Sequence, residues 1–225
     1  MSDDQTTDAG QFQYHGPLIR LVADLSTRMR RRMFDVLMTE LQPDAGTTVV
    51  DVGVTCDSRP DSNFFEKLYP YANRITAVGL EDAHFLERQY PGLKYVKADA
   101  LRLPFPDDAF DLALSFAVVE HVGSRERQRD FVAELLRVGK RCLITTPNRW
   151  YPVEFHTVLP LLHWLPPTHY RKILRCLGQE FFASEEHLNL LGAQDLLSLI
   201  PSDKKGRLIN FRLLGMVSNL MLVLD

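Results

Sequence analysis

Two histidines stand beside carboxylates in otherwise apolar stretches, His121 in "VVEHV" and His156 in "PVEFHT". Imidazole titrates near neutrality, so either could take a proton from a hydroxyl; the alternative for each is a structural histidine, with Glu120 positioning its loop. A second group of residues closes short apolar runs. Asp51 and Gly53 end "VVDVG", Glu81 and Asp82 follow "ITAVGL", Asp99 follows "KYVKA", and Ser115 and Phe116 end "FDLALSF". A carboxylate in such a place accepts from hydroxyls or an exocyclic amine, and the backbone of Ala100 and Leu101 can supply donors beside Asp99; a solvated turn carboxylate is the plain alternative. After "RCLITTP" come Asn148, Arg149 and Trp150, with Tyr151 and Phe155 beyond them, a set in which Trp150, Tyr151 and Phe155 could form an apolar wall beside polar groups.

The runs that carry these residues are brief enough to be strands buried on both faces: 47–52, 75–80, 94–99, 110–116 and 141–147. Helical candidates lie between them, most clearly "SRERQRDFVAELLRVG", and strands alternating with helices imply parallel pairing through right-handed crossovers. Ahead of them, Leu18, Val22, Leu25, Met29, Met33 and Leu37 recur at helical spacing, which predicts a helix from Pro17 to about Leu41. Its "RMRRRM" reads as a solvated face, given the neighbouring carboxylates. Residues 150–200, rich in aromatics and prolines, read as helical insertions, with "TVLPLLHWLPP" as a cap over a substrate or as a core-packing helix. The last residues predict two strands around "MVSN", joined as an antiparallel hairpin. The expected fold is therefore α/β, a doubly wound, mostly parallel sheet of Rossmann-like type with a C-terminal antiparallel hairpin and helices on both faces. Residues 1–16, acidic and polar, are expected to be flexible, and 17–225 to form a single domain.

Composition narrows the function. With 225 residues, 45% hydrophobic, the chain can bury one full core. A net charge of -3 and the lack of a basic stripe with interleaved aromatics disfavour nucleic acid. No stretch is apolar for the length of a membrane span, and the three cysteines, Cys56, Cys142 and Cys176, neither make a disulfide framework nor stand at ligand spacing. A cytoplasmic protein with no metal is the expectation.

The motifs at the strand ends resemble those of the class I S-adenosylmethionine-dependent methyltransferases, in particular the small-molecule group. "DVGVTCD" matches the family's D-x-G-x-G-x-G loop, "ADALRLPF" its A-D-A-x-x-L-P-F segment, and "FDLALSFAVVEHV" its F-D-x-x-x-S-x-x-x-x-E-H strand. The resemblance covers roughly residues 45–150. It implies S-adenosyl-L-methionine as cofactor, Asp99 at the adenine amino group, and methyl transfer to a small-molecule, sugar or lipid-linked acceptor, with oxygen the first choice of atom.

Two departures qualify it. Thr55 and Asp57 replace the family's second and third glycines, and Gly79 stands where the family places the acid that binds both ribose hydroxyls. Glu81, then Asp82, is the expected substitute. Within the loop, Thr55, Ser58, Arg59 or Asn63 would replace glycine backbone, Arg59 pairing the methionyl carboxylate. The rival is a non-catalytic, methyltransferase-like subunit that kept the fold and binds a partner. A nicotinamide oxidoreductase is disfavoured, because no second glycine follows Gly53 before Gly79.

Overall fold

The computed structural model describes residues 17–57 and 62–225, with side chains from Leu25 onward. The expected flexibility of residues 1–16, and Ser58 and Arg59, lie outside the described residues.

Seven strands form one sheet in the order β3-β2-β1-β4-β5-β7-β6. They are β1 (Val49–Val52), β2 (Ile75–Gly79), β3 (Lys94–Lys97), β4 (Phe110–Phe116), β5 (Gly139–Pro147), β6 (Gly206–Leu213) and β7 (Met216–Leu224). The first five pair in parallel; β7 runs antiparallel to β5 and β6. Strand order reverses between β1 and β4, the point at which a ligand crevice opens beyond the carboxyl ends in an open parallel sheet. All four residues of β1 are buried, as a central strand covered on both faces requires.

Each face of the sheet has its own apolar layer. On one, α1 (Pro17–Leu41), α2 (Phe64–Leu68) and α3 (Phe85–Gln89) contribute Met33, Leu37, Phe65 and Leu86. On the other, α4 (Arg125–Val138) buries Phe131, Val132, Leu135 and Val138 at helical spacing, joined by Leu196 of the short helix Ala193–Leu197. The Ser124 side chain accepts from the Arg127 amide at the start of α4.

Two expectations are corrected. The 150–200 segment is mostly irregular: its α-helices are α5 (Pro167–Cys176) and α6 (Ala193–Leu197), and Pro152 and Pro160 remove donors and bar continuous helix ahead of α5. The hairpin turns before "MVSN" rather than within it. Leu214 and Gly215 both take positive φ, 51° and 82°. That geometry suits the twist of a two-residue hairpin, and "MVSN" then opens β7.

Candidate functional site

The loop after β1 is shaped by its neighbours. Gly53 has φ 110°. A Cβ there would lie 2.1 Å from Val118 Cγ2, so only glycine fits. The same contact places the end of β4 against this loop. Thr55 is exposed, and its amide N–H donates to Asn63 Oδ1 at 2.9 Å, while Asn63 Nδ2 donates to the Thr55 carbonyl at 3.0 Å. One carboxamide thus pairs with both polar groups of a loop residue. Asn63, one of the residues expected at the cofactor, stitches the loop from left-handed geometry at φ 48°.

Asp51, at the end of β1, is buried beside Glu66 of α2. Burial, then the Glu66 charge, raises its pKa well above the carboxylate range. Burial raises Glu66 as well, and neither Glu66 oxygen has a well-formed hydrogen bond. Ser115 is fully buried, its hydroxyl donating to the Val52 carbonyl at 2.9 Å, so it ties β4 to β1. Phe116 packs edge-on to Phe64, with ring centroids 4.8 Å apart, and supports the helix after the loop.

The ends of β2 and β3 keep polar side chains in the open. A Cβ at Gly79 would lie 2.7 Å from the Val54 carbonyl oxygen, so the loop backbone occupies the space that an acid would need there. Glu81 and Asp82 are both exposed, but Asp82 Oδ1 accepts from the His84 amide and pairs with its Nδ1 at 2.7 Å, which turns it toward α3. Glu81 faces the loop, where its Oε2 accepts from Cys56 Sγ at 2.7 Å; that bond to a carboxylate raises the thiol pKa. Tyr95 Oη lies beneath, donating to the carbonyls of Gly79 and Glu81. Asp99 is exposed at the end of β3, and its Oδ1 accepts from Leu101 N–H at 2.9 Å. That bond occupies the Leu101 donor expected for a ligand and leaves Ala100 as the backbone neighbour. Leu80, next to Glu81 in the chain, is 70% exposed, an apolar side chain left in water just past β2.

Arg137 of α4 anchors the Asp99 loop. Its guanidinium donates to the carbonyls of Leu103 and Phe105 and pairs with Glu134 and Asp107, while Glu134 Oε1 accepts from Leu103 N–H at 2.7 Å.

Beyond β4, the structure brings His121 and His156 together, 35 residues apart in the chain, with Nε2 atoms at 3.0 Å. His121 Nδ1 lies 2.6 Å from the His187 carbonyl, and His156 Nδ1 lies 2.6 Å from Glu154 Oε1. Burial alone would lower the His156 pKa, but the Glu154 hydrogen bond and charge raise it on balance. Burial would push Glu154 up, yet the bonds from His156 and Thr157 hold it at about 2. Glu120 is fully buried, with Oε2 accepting from Thr146 Oγ1 at 2.9 Å and Oε1 4.0 Å from His121 Nε2. Gln128 of α4 fixes this turn by donating to the carbonyls of Val119 and Asn189.

Of the three expected acceptor residues, Asn148 is structural: its Nδ2 donates to the Val217 carbonyl and its Oδ1 accepts from Trp150 N–H. The Arg149 guanidinium lies over the Trp150 ring, 5.4 Å from its centroid. Arg149 is partly buried, and desolvation lowers its pKa. Trp150 is 53% exposed. Tyr151 and Phe155 stack at 5.3 Å. Sequence reasoning assigns no role to Cys56, Leu80, Tyr95 or His187; Glu154 is visible only as the carboxylate two residues before His156 in "VEFH".

Known proteins agree in part. A methyltransferase domain profile matches residues 62–142. A probable S-adenosylmethionine-dependent methyltransferase of Mycobacterium tuberculosis (strain H37Rv) is 32% identical over 81 residues, which is 35% of this chain and 29% of that protein. Ajmaline N-methyltransferase of Rauvolfia serpentina is 40% identical over 63 residues, 28% of this chain and 20% of that protein. The alignments thus span less than a third of these relatives. Among solved structures, geranyl diphosphate C-methyltransferase from Streptomyces coelicolor A3(2), in complex with Mg2+, geranyl diphosphate and S-adenosyl-L-homocysteine, has a TM-score of 0.60 at 14% identity over 96% of this chain and 86% of that one. A protein of Pyrococcus horikoshii OT3 gives 0.56 at 13% identity over 90% and 93%. At such identities the likeness is one of fold.

Proposed function

Because the chain belongs to the class I S-adenosylmethionine-dependent methyltransferases, we propose that it transfers a methyl group from S-adenosylmethionine to a hydroxyl of a small acceptor with an apolar portion. The observation that carries the cofactor reading is the pair of neighbouring strand ends: Glu81 after β2 and Asp99 after β3 are both exposed, with the exposed Leu80 beside Glu81 in sequence, a set that matches hydroxyls, an amino group and a flat ring. These acceptors and the apolar side chain beside them fit the cofactor even though Gly79 replaces the usual acid. Glu81 would hold the ribose and Asp99 the adenine amine, while the Gly53–Asp57 loop would lie along the remainder.

The bound cofactor supplies an activated methyl on a sulfonium and a neutral leaving group. The chain's own residues align the acceptor, exclude water and ionise its hydroxyl. Alignment falls to the segment after β5, where Arg149 and the exposed Trp150, Leu161, Trp164 and Leu165 offer a partly apolar surface. Ionisation falls to the cluster of Glu120, His121, His156 and Glu154, which the Gly53–Val118 contact brings to the side of the cofactor loop. An acceptor that is a lipid-linked intermediate or sugar derivative suits this surface, and the reading involves no nucleic acid.

Calorimetry with S-adenosylmethionine and S-adenosylhomocysteine tests this reading. Micromolar binding that weakens at least 10-fold, about 1.4 kcal/mol, in both Asp99→Ala and Glu81→Ala is the expected result. A folded wild-type protein that binds neither compound overturns it in favour of a partner-binding subunit.

A further inference from the structure

We infer that Glu120, His121 and His156 form a binding site for a divalent first-row transition-metal ion. The argument begins with the two protons that the structure places. The His187 carbonyl can only accept, so His121 Nδ1 carries a hydrogen. Glu154 receives the His156 Nδ1 and backbone N–H groups on one oxygen and the Thr157 N–H on the other, an acceptor-only role that makes it a carboxylate and puts a hydrogen on His156 Nδ1. In the neutral rings both Nε2 atoms are then bare lone pairs, and they face each other at 3.0 Å. Such an arrangement repels unless a cation lies between them.

The third ligand is the buried Glu120. Its Oε1 has no hydrogen-bond partner, and it lies with the two imidazole nitrogens in a group whose ligand atoms are all within 4.8 Å of one another. Leaving a carboxylate oxygen buried and unpartnered costs several kcal/mol, roughly, unless a cation meets it. Among the described residues, no lysine or arginine pairs with Glu120 or Glu154.

The surroundings have the form that supports metal-bound histidines, in which each ligand ring donates its other N–H to a carboxylate or a backbone carbonyl, fixing tautomer and orientation. With metal–nitrogen bonds of about 2.0–2.1 Å, a 3.0 Å nitrogen separation sets an angle close to a right angle at the ion. Two histidines and a carboxylate on one face leave the opposite positions open for oxygen ligands, water or an acceptor hydroxyl. Glu120 Oε1, 4.0 Å from His121 Nε2, closes by roughly 1 Å to complete the face. A cysteine-free site of this kind favours borderline ions such as Zn2+ over Mg2+ or Ca2+. The site rests on side-chain geometry; only its use in ionising an acceptor rests on the methyl-transfer reading.

The test titrates Zn2+ alone into the metal-stripped full chain, followed by calorimetry, with Co2+ absorption as a second probe. One equivalent should bind, and Glu120→Gln, His121→Ala and His156→Ala should each weaken binding at least 10-fold, while the exposed His169→Ala on α5 leaves it unchanged. Thermal unfolding of each variant checks its fold. Should a variant fail to fold, histidine 15N spectra of the wild type decide: Zn2+ should move the Nε2 resonances of His121 and His156. Absence of saturable binding, or binding with those resonances unmoved, overturns the proposal and leaves a proton between the rings. Binding of S-adenosylmethionine is measured separately, so the failure of one reading is distinguishable from the failure of the other.

Discussion

Gly79 shows how one residue can both depart from a family pattern and be required by its own surroundings. The ribose-binding acid is missing because the Val54 carbonyl oxygen would lie 2.7 Å from a Cβ at this position. Restoring the acid should therefore damage the protein: Gly79→Asp is expected to lose about 1–3 kcal/mol of stability, read as a lower urea midpoint, with weaker cofactor binding rather than stronger. Asp51 and Glu66 make a second residue-scale case. Both carboxyls have raised pKa values in the folded chain, so the native state binds protons that the unfolded state has released. Their contribution is fully present below the unfolded carboxylate range of about 4 and is lost as pH rises through the folded values. Glu66→Gln removes one of the two charges, and its stability relative to wild type should rise as pH increases above the unfolded carboxylate range in urea titrations.

At the scale of elements, the strands were legible because a buried parallel strand is a short continuous apolar run, and α4 was legible because its apolar residues repeat with helical period. The 150–200 segment was not, because its structure comes from particular bonds: His163 Nε2 to the Tyr151 carbonyl, Asn189 N–H to the Glu120 carbonyl, and Arg149 N–H to the Leu191 carbonyl. The candidate site divides in the same way. Asp99 and Glu81 stand at strand ends, where pattern predicts them, whereas the pairing of His121 with His156 depends on how an irregular segment folds back. The Asp99 loop is likewise held by α4 rather than by its own sequence. Arg137→Ala removes charge-assisted bonds to Leu103, Phe105, Asp107 and Glu134. A loss of about 2 kcal/mol of stability should follow, the size expected for hydrogen bonds to a charged group. Cofactor affinity should fall too, since the loop that presents Asp99 loses its anchor; calorimetry on the folded variant measures this.

For the whole molecule, the starts of three central strands share one ion. Asp111 of β4 accepts from the Thr48 amide and hydroxyl just before β1, and from Lys140 of β5. The Lys140 bond, followed by those from Thr48, holds its pKa at about 2. A depressed carboxylate stabilises the fold above its unfolded pKa and ceases to do so as pH falls through the folded value, so this contribution fades from about pH 4 toward pH 2. Asp111→Asn should accordingly flatten the acid limb of a urea-midpoint profile recorded from pH 5 to pH 2.5. The irregular segment after β5 has an optical consequence as well. The chain has two tryptophans, Trp150 and Trp164; both lie in that segment, 53% and 39% exposed, and the sheet and its two apolar layers contain none. Indole emission from the folded chain therefore reports on the segment after β5, where the proposed acceptor surface lies, rather than on the sheet and its two apolar layers. A small molecule that docks on the proposed acceptor surface should change this emission while the far-ultraviolet circular dichroism of the sheet stays constant.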